Sequence, residues 1–378
     1  MIVKPECRDK ACLVSTINAD RMCALPVKPK ENKMPYHFTN LVFEGGGVKG
    51  IAYVGALQEL EKRGILSNIR RAGGASAGAI VATLVGLGYT PEEILDILMK
   101  LDFKKFMDSS WGVLRDLMRL KDEFGWYKGD FFRQWIGDLI KKKTGNDNTT
   151  FSAFGRMRKQ ADEKNNFREL YFLVTNLSTG FSEIMSEETS PNVCIADAVR
   201  LSMSIPFFFA AKRSMRDDVY SDGGVLDNYP VKLFDRKKYL SAPERGRETD
   251  YYKTENKRFL KKHPDSSPYV YNKETLGFRL DTKEEIAMFR DQAEPAHRKI
   301  NDLFDFIYAV VGCYMDSQNN QHLHGDDWQR TIYIDTLGVG MTDFSIPKKT
   351  KDALVESGRK GVREYLDWYD GVPMAANK

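Results

Sequence analysis

The chain has 378 residues, of which 42% are hydrophobic and 29% are charged, and its formal net charge is +4. This composition predicts a globular protein with a sizeable core. The small charge excess excludes an electrostatic argument for nucleic-acid binding but is compatible with contact to an anionic membrane surface.

Residues 1–33 have neither helical nor strand periodicity, so we expect a mobile N-terminal extension before a folded domain over residues 34–378. The first ten residues lack the pattern of a secretory signal, and no apolar run reaches the roughly 18 residues of a membrane span. We therefore expect a cytoplasmic protein that is peripheral to membranes, while delivery to another compartment or a host cell stays open.

The cysteines predict neither a disulfide framework nor a metal site. They form no CxxC pair and have no histidine at metal-ligand spacing, so we expect reduced thiols and no metal. The five are Cys7, Cys12, Cys23, Cys194 and Cys313.

Two successive units of strand, glycine turn and helix open the predicted domain. In the first, an apolar strand ends at Phe43 and is followed by a turn at residues 45–47 and an amphipathic helix. In the second, a strand at 69–73 leads through a turn at 74–78 into an apolar helix at 79–87. This repetition favours an α/β domain with a largely parallel sheet.

The later elements follow from caps and periodicity. Thr90 and Glu93 form a capping box around Pro91, which predicts a helix over residues 91–100. The others, in chain order, are a helix capped by Asp130 within a helical region at 101–143, a strand at 170–175, a helix at 195–204 stopped by Pro206, a strand ending at Tyr220, a helical stretch at 282–311, a strand at 331–335 and a helix at 351–369.

Two segments are candidates for contact with lipid. Residues 101–127 are rich in Phe, Met, Trp and Lys, and residues 236–275 form a charged stretch that we interpret as a surface insertion. In the functional interpretation, the basic residues of the insertion dock on a membrane beside five apolar residues, Phe103, Phe106, Met107, Trp111 and Trp126. In the alternative, the aromatic residues are core and the insertion is an ordinary solvated loop.

A G-x-S-x-G sequence, Gly74-Ala75-Ser76-Ala77-Gly78, lies between the second strand and its helix. In this context the sequence predicts a nucleophile elbow. The glycines leave room for a sharp turn, so that the serine hydroxyl projects and the Ala77 amide faces the reacting carbonyl.

The first glycine turn, Gly45-Gly46-Gly47-Val48-Lys49-Gly50, exposes backbone N–H groups at the positive end of a helix. Such groups can hold a tetrahedral oxyanion or a phosphate. The same residues also satisfy the dinucleotide fingerprint G-x-G-x-x-G, but that motif requires an acidic residue at the end of a second strand. The acids in the appropriate interval, Glu59 and Glu61, lie inside the first predicted helix, which disfavours a dinucleotide site.

The proton acceptor for Ser76 has two kinds of candidate. Histidine is the usual base, and the chain has His37, His263, His297, His322 and His324, none with a recognisable anchoring pattern. Asp222, in Ser-Asp-Gly-Gly after a predicted strand, is the better candidate, although a simple turn aspartate is the commonest use of Asp-Gly.

Three blocks in this order resemble the signature of the patatin-like phospholipases: Gly45-Gly46-Gly47-Val48-Lys49-Gly50, Gly74-Ala75-Ser76-Ala77-Gly78 and Asp222-Gly223-Gly224. The segment from Arg200 to Pro206 resembles the one before the family's aspartate, and Asn228 and Pro230 stand where the family has Asn-x-Pro. Leu201 departs from the family's usual alanine, which affects packing rather than chemistry.

The resemblance implies a three-layer α/β/α sandwich with a mainly parallel central sheet. It implies Ser76 as nucleophile, Asp222 as general base, and no cofactor, histidine or metal in the reaction. Gly45 would shape the oxyanion loop, whose donors would be the amides of Gly46, Gly47 and Ala77. The residues that would support these motifs are Lys49, Gly50, Gly74, Gly78, Gly223 and Gly224. Lys49 would either organise the loop or favour anionic head groups.

The function implied is that of a phospholipase A-type lipid acyl hydrolase acting at a phospholipid membrane surface through an acyl-enzyme. Two alternatives stay open: a serine esterase or thioesterase that depends on histidine, and a catalytically inactive lipid-binding protein. The sequence indicates no nucleic-acid substrate and identifies no activating partner.

Overall fold

The computed structural model describes residues 36–107, 123–161, 166–213, 216–283, 285, 300, 306, 309–310, 312–313, 326–341 and 343–371. The predicted N-terminal extension lies outside these residues, as does most of the helical stretch predicted at 282–311.

The strands in chain order are β1 (Asn40–Phe43), β2 (Arg71–Gly74), β3 (Gly125–Tyr127), β4 (Glu169–Asn176), β5 (Phe181–Ser186), β6 (Phe207–Phe209), β7 (Lys212–Arg213), β8 (Val219–Asp222), β9 (Gly246–Arg247), β10 (Tyr271–Asn272), β11 (Thr275–Asp281) and β12 (Thr331–Asp335). The α-helices are α1 (Ala52–Lys62), α2 (Ala77–Gly86), α3 (Pro91–Lys100), α4 (Asp130–Thr144), α5 (Phe151–Gln160), α6 (Ile195–Ser202), α7 (Gly224–Asp227), α8 (Asp250–Lys262) and α9 (Lys348–Tyr369).

Within the described residues, eight strands form a mixed sheet in the order β12-β11-β1-β2-β4-β8-β7, with β5 also paired to β4. The five strands from β12 to β4 are parallel, whereas β5, β7 and β8 join antiparallel. The carboxyl ends of β1 and β2 therefore meet at one edge, where both glycine turns begin. Asp222 reaches the same region because β8 runs against β4, with Asp222 opposite Val174.

The sheet lies between two layers, as an α/β/α sandwich requires. One face packs on a large apolar core that includes α1, α2, α6 and α9, and every residue of α2 is buried. The other face is covered by the 3-10 turns Val231–Phe234 and Lys237–Tyr239, where Phe234 and Tyr239 pack on Val42 and Tyr171. The predicted fold class is confirmed.

The local signals account for most of these boundaries. Helix α3 begins with the predicted capping box, since Thr90 Oγ1 accepts from the Glu93 amide and the Glu93 carboxylate accepts from the Thr90 amide. The prediction that Asp130 caps α4 is wrong, because Gly129 precedes the helix with a φ of 70° and Asp130 is the first helical residue. Asp130 still suits this position through its charge at the positive end of the helix.

Several other elements differ from expectation; for example, the strand predicted to end at Tyr220 ends at Asp222. Helix α6 ends at Ser202 rather than at residue 204, and the residues that follow it, Met203 and Ser204, contact Ser76 and Asp222 respectively. Strand β11 was not expected, although its buried Leu276, Phe278 and Leu280 alternate as strand residues do. The charged segment at 236–275 contains a 13-residue helix, α8, with Tyr252 and Asn256 buried.

None of the helices in the described part of the chain combines the length and apolarity that crossing a bilayer requires.

Candidate active site

Ser76 occupies the sharp turn between β2 and α2. Its backbone has a φ of 53° and a ψ of −125°, a combination that a residue with a side chain rarely adopts. The Ser76 amide donates to Ser202 Oγ at 3.0 Å, and only 3% of Ser76 is exposed. A buried bond from another segment therefore helps to hold the strained turn.

The first and last glycines of this motif, Gly74 and Gly78, are required because the backbone of β1 passes very close to them. A Cβ on Gly78 would lie 2.2 Å from the Phe43 carbonyl oxygen, and one on Gly74 would lie 2.6 Å from the same atom. Both distances are far below van der Waals contact, so any side chain would push the elbow away from β1. This is the steric role that the sequence motif predicts.

Asp222 is the last residue of β8 and is 1% exposed. Its Oδ1 accepts from the Gly224 amide at 2.7 Å, whereas its buried Oδ2 has no hydrogen-bond partner among the described residues. Burial raises the pKa of Asp222 to about 7, against the opposing effects of the Gly224 amide and of the Ser76 side chain. A carboxylate with such a pKa is a far better base than one in water.

The segment at residues 202–204 joins the two candidate residues. Ser202 Oγ holds the Ser76 amide, and the Ser204 carbonyl accepts from the Asp222 amide at 2.8 Å. Between them, Met203 places its Sδ 3.6 Å from Ser76 Oγ. The serine hydroxyl is thus directed to the thioether, close enough to Asp222 to affect its pKa but without a hydrogen bond of standard geometry to Oδ2.

The glycine loop lies directly beside this pair. A Cβ on Gly45 would be 3.0 Å from Ser76 Cβ, and a Cβ on Gly50 would be 3.3 Å from Ala77 Cβ, so the loop packs on the elbow. Gly47 has a φ of 57°, and a Cβ there would lie 2.0 Å from the Met341 carbonyl oxygen.

The amides near Ser76 differ in what they bind. Gly45 donates its amide to the Asn228 carbonyl at 3.0 Å, so it is not available to an oxyanion. Within the described part of the chain, the amides of Gly46, Gly47 and Ala77 have no protein acceptor. These three are the ones predicted as oxyanion donors, and the first helical turns that follow them add a favourable dipole.

Lys49 turns back into the protein. Its Nζ donates to the Leu280 carbonyl at 3.4 Å. Burial raises the pKa values of the Glu44 and Asp281 carboxyls, and the charge of Lys49 opposes this rise. These contacts favour the interpretation that Lys49 organises the loop over the interpretation that it selects anionic head groups.

Gly223, in the Asp-Gly-Gly block, is required by its contact with β4. A Cβ on Gly223 would lie 2.3 Å from the Leu173 carbonyl oxygen, so only glycine lets the chain turn this closely against β4. Gly224 then begins α7 and supplies the amide bound to Asp222.

Arg200 and Ser202 support the site, and sequence reasoning assigned neither a role. Arg200 is 2% exposed and donates to Ser204 Oγ and to the carbonyls of Lys128, Gly129 and Ala210. It therefore fixes the segment that touches both Ser76 and Asp222. The available signal was the resemblance of residues 200–206 to the block before the family's aspartate.

The described histidines do not approach the pair. His37 precedes β1 at the amino end of the sheet, and His263 follows α8, where its ring contacts Phe259. His297, His322 and His324 lie outside the described residues. Over the part of the chain that the structure describes, no cluster of His, Cys, Asp and Glu has the makeup of a metal site.

The two candidate lipid-binding segments behave differently from expectation. Phe103 and Phe106 are core residues, 7% and 2% exposed, so their assignment to a docking surface is wrong. Met107 is half-buried against the same core, Trp126 is half-buried, and Trp111 lies outside the described residues. The 236–275 segment packs at the amino ends of the strands, where the Tyr239 carbonyl binds Arg71 and the Ser241 amide binds Glu274. Ser76 lies at the opposite, carboxyl ends, so these contacts of the basic insertion lie away from Ser76.

Comparison with known proteins agrees with the resemblance found in the sequence. A family model described as patatin-like phospholipase matches residues 41–235. An uncharacterized protein of Acanthamoeba polyphaga mimivirus is 36% identical over 329 residues, covering 86% of this chain and 93% of that protein. A probable lipid hydrolase of Invertebrate iridescent virus 6 is 27% identical over 199 residues, covering 53% of this chain and 64% of that protein.

Among solved structures, VipD from Legionella pneumophila is similar with a TM-score of 0.54 and 19% identity. The alignment covers 88% of this chain and 67% of that one. At this identity the similarity concerns the fold.

Proposed function

Because this chain belongs to the patatin-like phospholipase family, we propose that it hydrolyses fatty acyl esters of phospholipids by a Ser76–Asp222 dyad. The family and the similarity to a probable lipid hydrolase support the broader activity, hydrolysis of lipid esters. The dyad, the acyl-enzyme and the phospholipid substrate are the proposed refinement.

The observation that carries the proposal is the buried, unpaired Oδ2 of Asp222 beside a strained serine. Asp222 has a pKa raised to about 7 by burial, and its Oδ1 is already bound to the Gly224 amide. Oδ2 is therefore the atom that can take a proton, and Ser76 is the hydroxyl near enough to influence it. A small shift of the hydroxyl from Met203 toward Oδ2 completes the pair.

The reaction then proceeds in two balanced steps. Ser76 Oγ attacks the ester carbonyl and passes its proton to Asp222, while the oxyanion accepts from the amides of Gly46, Gly47 and Ala77. Collapse breaks the bond to the glycerol oxygen, which takes the proton from Asp222 and leaves as lysolipid. Water attacks the acyl-enzyme in the same way and releases the fatty acid.

Lipid access is proposed through two exposed aromatic residues. Phe124 and Phe207 are 46% and 48% exposed, and they are close along the fold because Phe124 precedes Gly125, the residue of β3 that pairs with Phe207 of β6. Phe207 follows the 202–205 segment that contacts Ser76. Two exposed aromatic residues at this position can enter a bilayer surface reversibly.

The test is release of fatty acid from vesicles of a phospholipid with different acyl chains at its two positions. Wild-type protein should release fatty acid, and folded Ser76→Ala and Asp222→Asn proteins should each lose about a thousandfold or more. Retained hydrolysis by either variant would remove the dyad. Binding of vesicles without any release by the wild type would instead support the inactive lipid-binding alternative.

A further inference from the structure

The glycine loop needs an external restraint, and two buried side chains meet at it. Glycine has the greatest backbone freedom of any residue, whereas oxyanion donors must be fixed before the reaction begins. Glu44 immediately precedes the loop, and Asn228 follows α7, the helix after Asp222. Both are buried, at 2% and 4% exposure.

The contacts of Asn228 hold Gly45 from both sides. The Asn228 carbonyl accepts from the Gly45 amide at 3.0 Å, and Asn228 Nδ2 donates to the Gly45 carbonyl at 3.2 Å. A Cβ on Gly45 would lie 2.3 Å from Asn228 Oδ1, so the fit leaves no space for a side chain.

The carboxylate of Glu44 extends this contact to the central sheet. Glu44 Oε1 accepts from Asn228 Nδ2 at 3.2 Å, and Oε2 accepts from the Leu280 amide at 2.7 Å. The Glu44 carbonyl also accepts from Tyr53 at 2.7 Å. One carboxylate thus joins β11, the loop and the segment that follows Asp222.

We propose that Glu44 and Asn228 form a clamp that holds the oxyanion loop in register with Ser76 and Asp222, with Glu44 as a positioning residue. The inference rests on the proposed function. Neither side chain needs to touch substrate, because their bonds fix the backbone on each side of Gly45.

The clamp requires two acceptor oxygens on the side chain at position 44. Asn228 Nδ2 and the Leu280 amide each donate an N–H to one oxygen of Glu44, so both oxygens must accept. A glutamine of the same shape has one acceptor and one donor, and its amide nitrogen would face either Asn228 Nδ2 or the Leu280 amide. Burial raises the pKa of the Glu44 carboxyl to about 8, and the positive charge of Arg279 opposes this rise only in part. The two N–H donors can be accepted whether or not the carboxyl holds a proton, because each of its oxygens keeps a lone pair.

The first test is Glu44→Gln, with kcat and KM measured on one ester substrate. We expect kcat to fall by about tenfold to a hundredfold, because a misplacement near 1 Å costs this much, while KM stays within about threefold. The rate of Ser76 modification by a fluorophosphonate should fall in parallel, since its adduct uses the same donors.

Glu274→Gln is the matched control. Glu274 is also buried and accepts two hydrogen bonds, from the Ser241 amide at 2.8 Å and from its hydroxyl, but it precedes β11 at the amino end of that strand. Glu274→Gln should affect the stability of the fold about as much as Glu44→Gln does, but it should leave kcat within about threefold of the wild type. Equal losses of kcat in both variants, or a folded Glu44→Gln protein with wild-type kcat, would overturn the clamp.

A second test does not depend on the folding of Glu44→Gln. Asn228→Asp places a carboxyl group against that of Glu44, where the wild type has a hydrogen bond from Asn228 to Glu44. Adding Glu44→Gln restores a hydrogen bond in the opposite direction, in which the glutamine amide donates to the aspartate. The double variant should therefore have a higher kcat than Asn228→Asp alone, and no recovery would overturn the clamp. Activity that survives Ser76→Ala would instead remove the proposed function, whereas Ser76-dependent activity unaffected by these changes removes only the clamp.

Discussion

Replacing Asp222 with asparagine should increase the stability of the fold while removing the proposed base. In the folded protein, burial raises the pKa of Asp222 from an ordinary 3.8 to about 7. The unfolded chain therefore loses this proton near pH 4, whereas the folded chain retains it until about pH 7. Between these values the folded state binds more protons, so its stability falls as the pH rises.

The size of the effect follows from the shift. A difference of about three pKa units, at roughly 1.4 kcal/mol per unit, gives a destabilisation of about 4 kcal/mol that is fully present above pH 7. Asparagine has no charge to bury, and its Oδ1 can still accept from the Gly224 amide. Relative to wild type, Asp222→Asn should be nearly neutral at about pH 4 and more stable by up to about 4 kcal/mol at about pH 8.

Denaturant unfolding of both proteins at several pH values between about 4 and 8 measures this difference. Asp138→Asn is the control, because Asp138 is exposed on α4 and its replacement should give no comparable pH-dependent difference. A stability difference between Asp222→Asn and wild type that stays constant over this range would refute the claim that burial raises the pKa of Asp222.

Three other predictions follow from the same geometry. Hydrolysis of a neutral ester should rise with pH through about 7, because Asp222 must lose its proton to act as base, and a profile that is flat from about pH 5 to 9 would exclude this role. Replacement of each of His37, His263, His297, His322 and His324 by Gln, and addition of a chelator, should leave kcat within about threefold, whereas a loss of several hundredfold in one folded variant would favour the histidine-dependent alternative. Combined Phe124→Ser and Phe207→Ser should lower hydrolysis of vesicle phospholipid about tenfold and spare a water-soluble ester; Phe181→Ser, at an exposed position on β5, is the control, and equal losses on both substrates would contradict the docking role.

The features best predicted from sequence are those determined by local sterics. The turns at residues 45–47 and 74–78 require glycine because the backbone passes within contact distance of its neighbours, and Gly78 against the Phe43 carbonyl is an example. The capping box of α3 is similarly local. All the residues that produce such a signal lie within a few positions of each other in the sequence. The structure they form can therefore be predicted without knowing the fold.

The hydrogen bonds from distant segments that hold Ser76 and the glycine loop could not be predicted in the same way. The bond from the Ser76 amide to Ser202 joins residues 126 positions apart, and that from Asn228 to Glu44 spans 184 positions. Composition and periodicity contain no information about such pairs. The same limit explains the error at Phe103 and Phe106, since aromatic residues near a helix suit a core and a lipid surface equally until their neighbours are known.

If Ser76 is the nucleophile, an acyl group is transferred to it, and peptide mapping by mass spectrometry after rapid acid quenching of a reaction with phospholipid detects this transfer. We expect a fatty acyl ester on the peptide that contains Ser76, present in wild type and absent in Ser76→Ala. Sustained hydrolysis with the acyl group on another residue, or the same fatty acid release from Ser76→Ala, would contradict it.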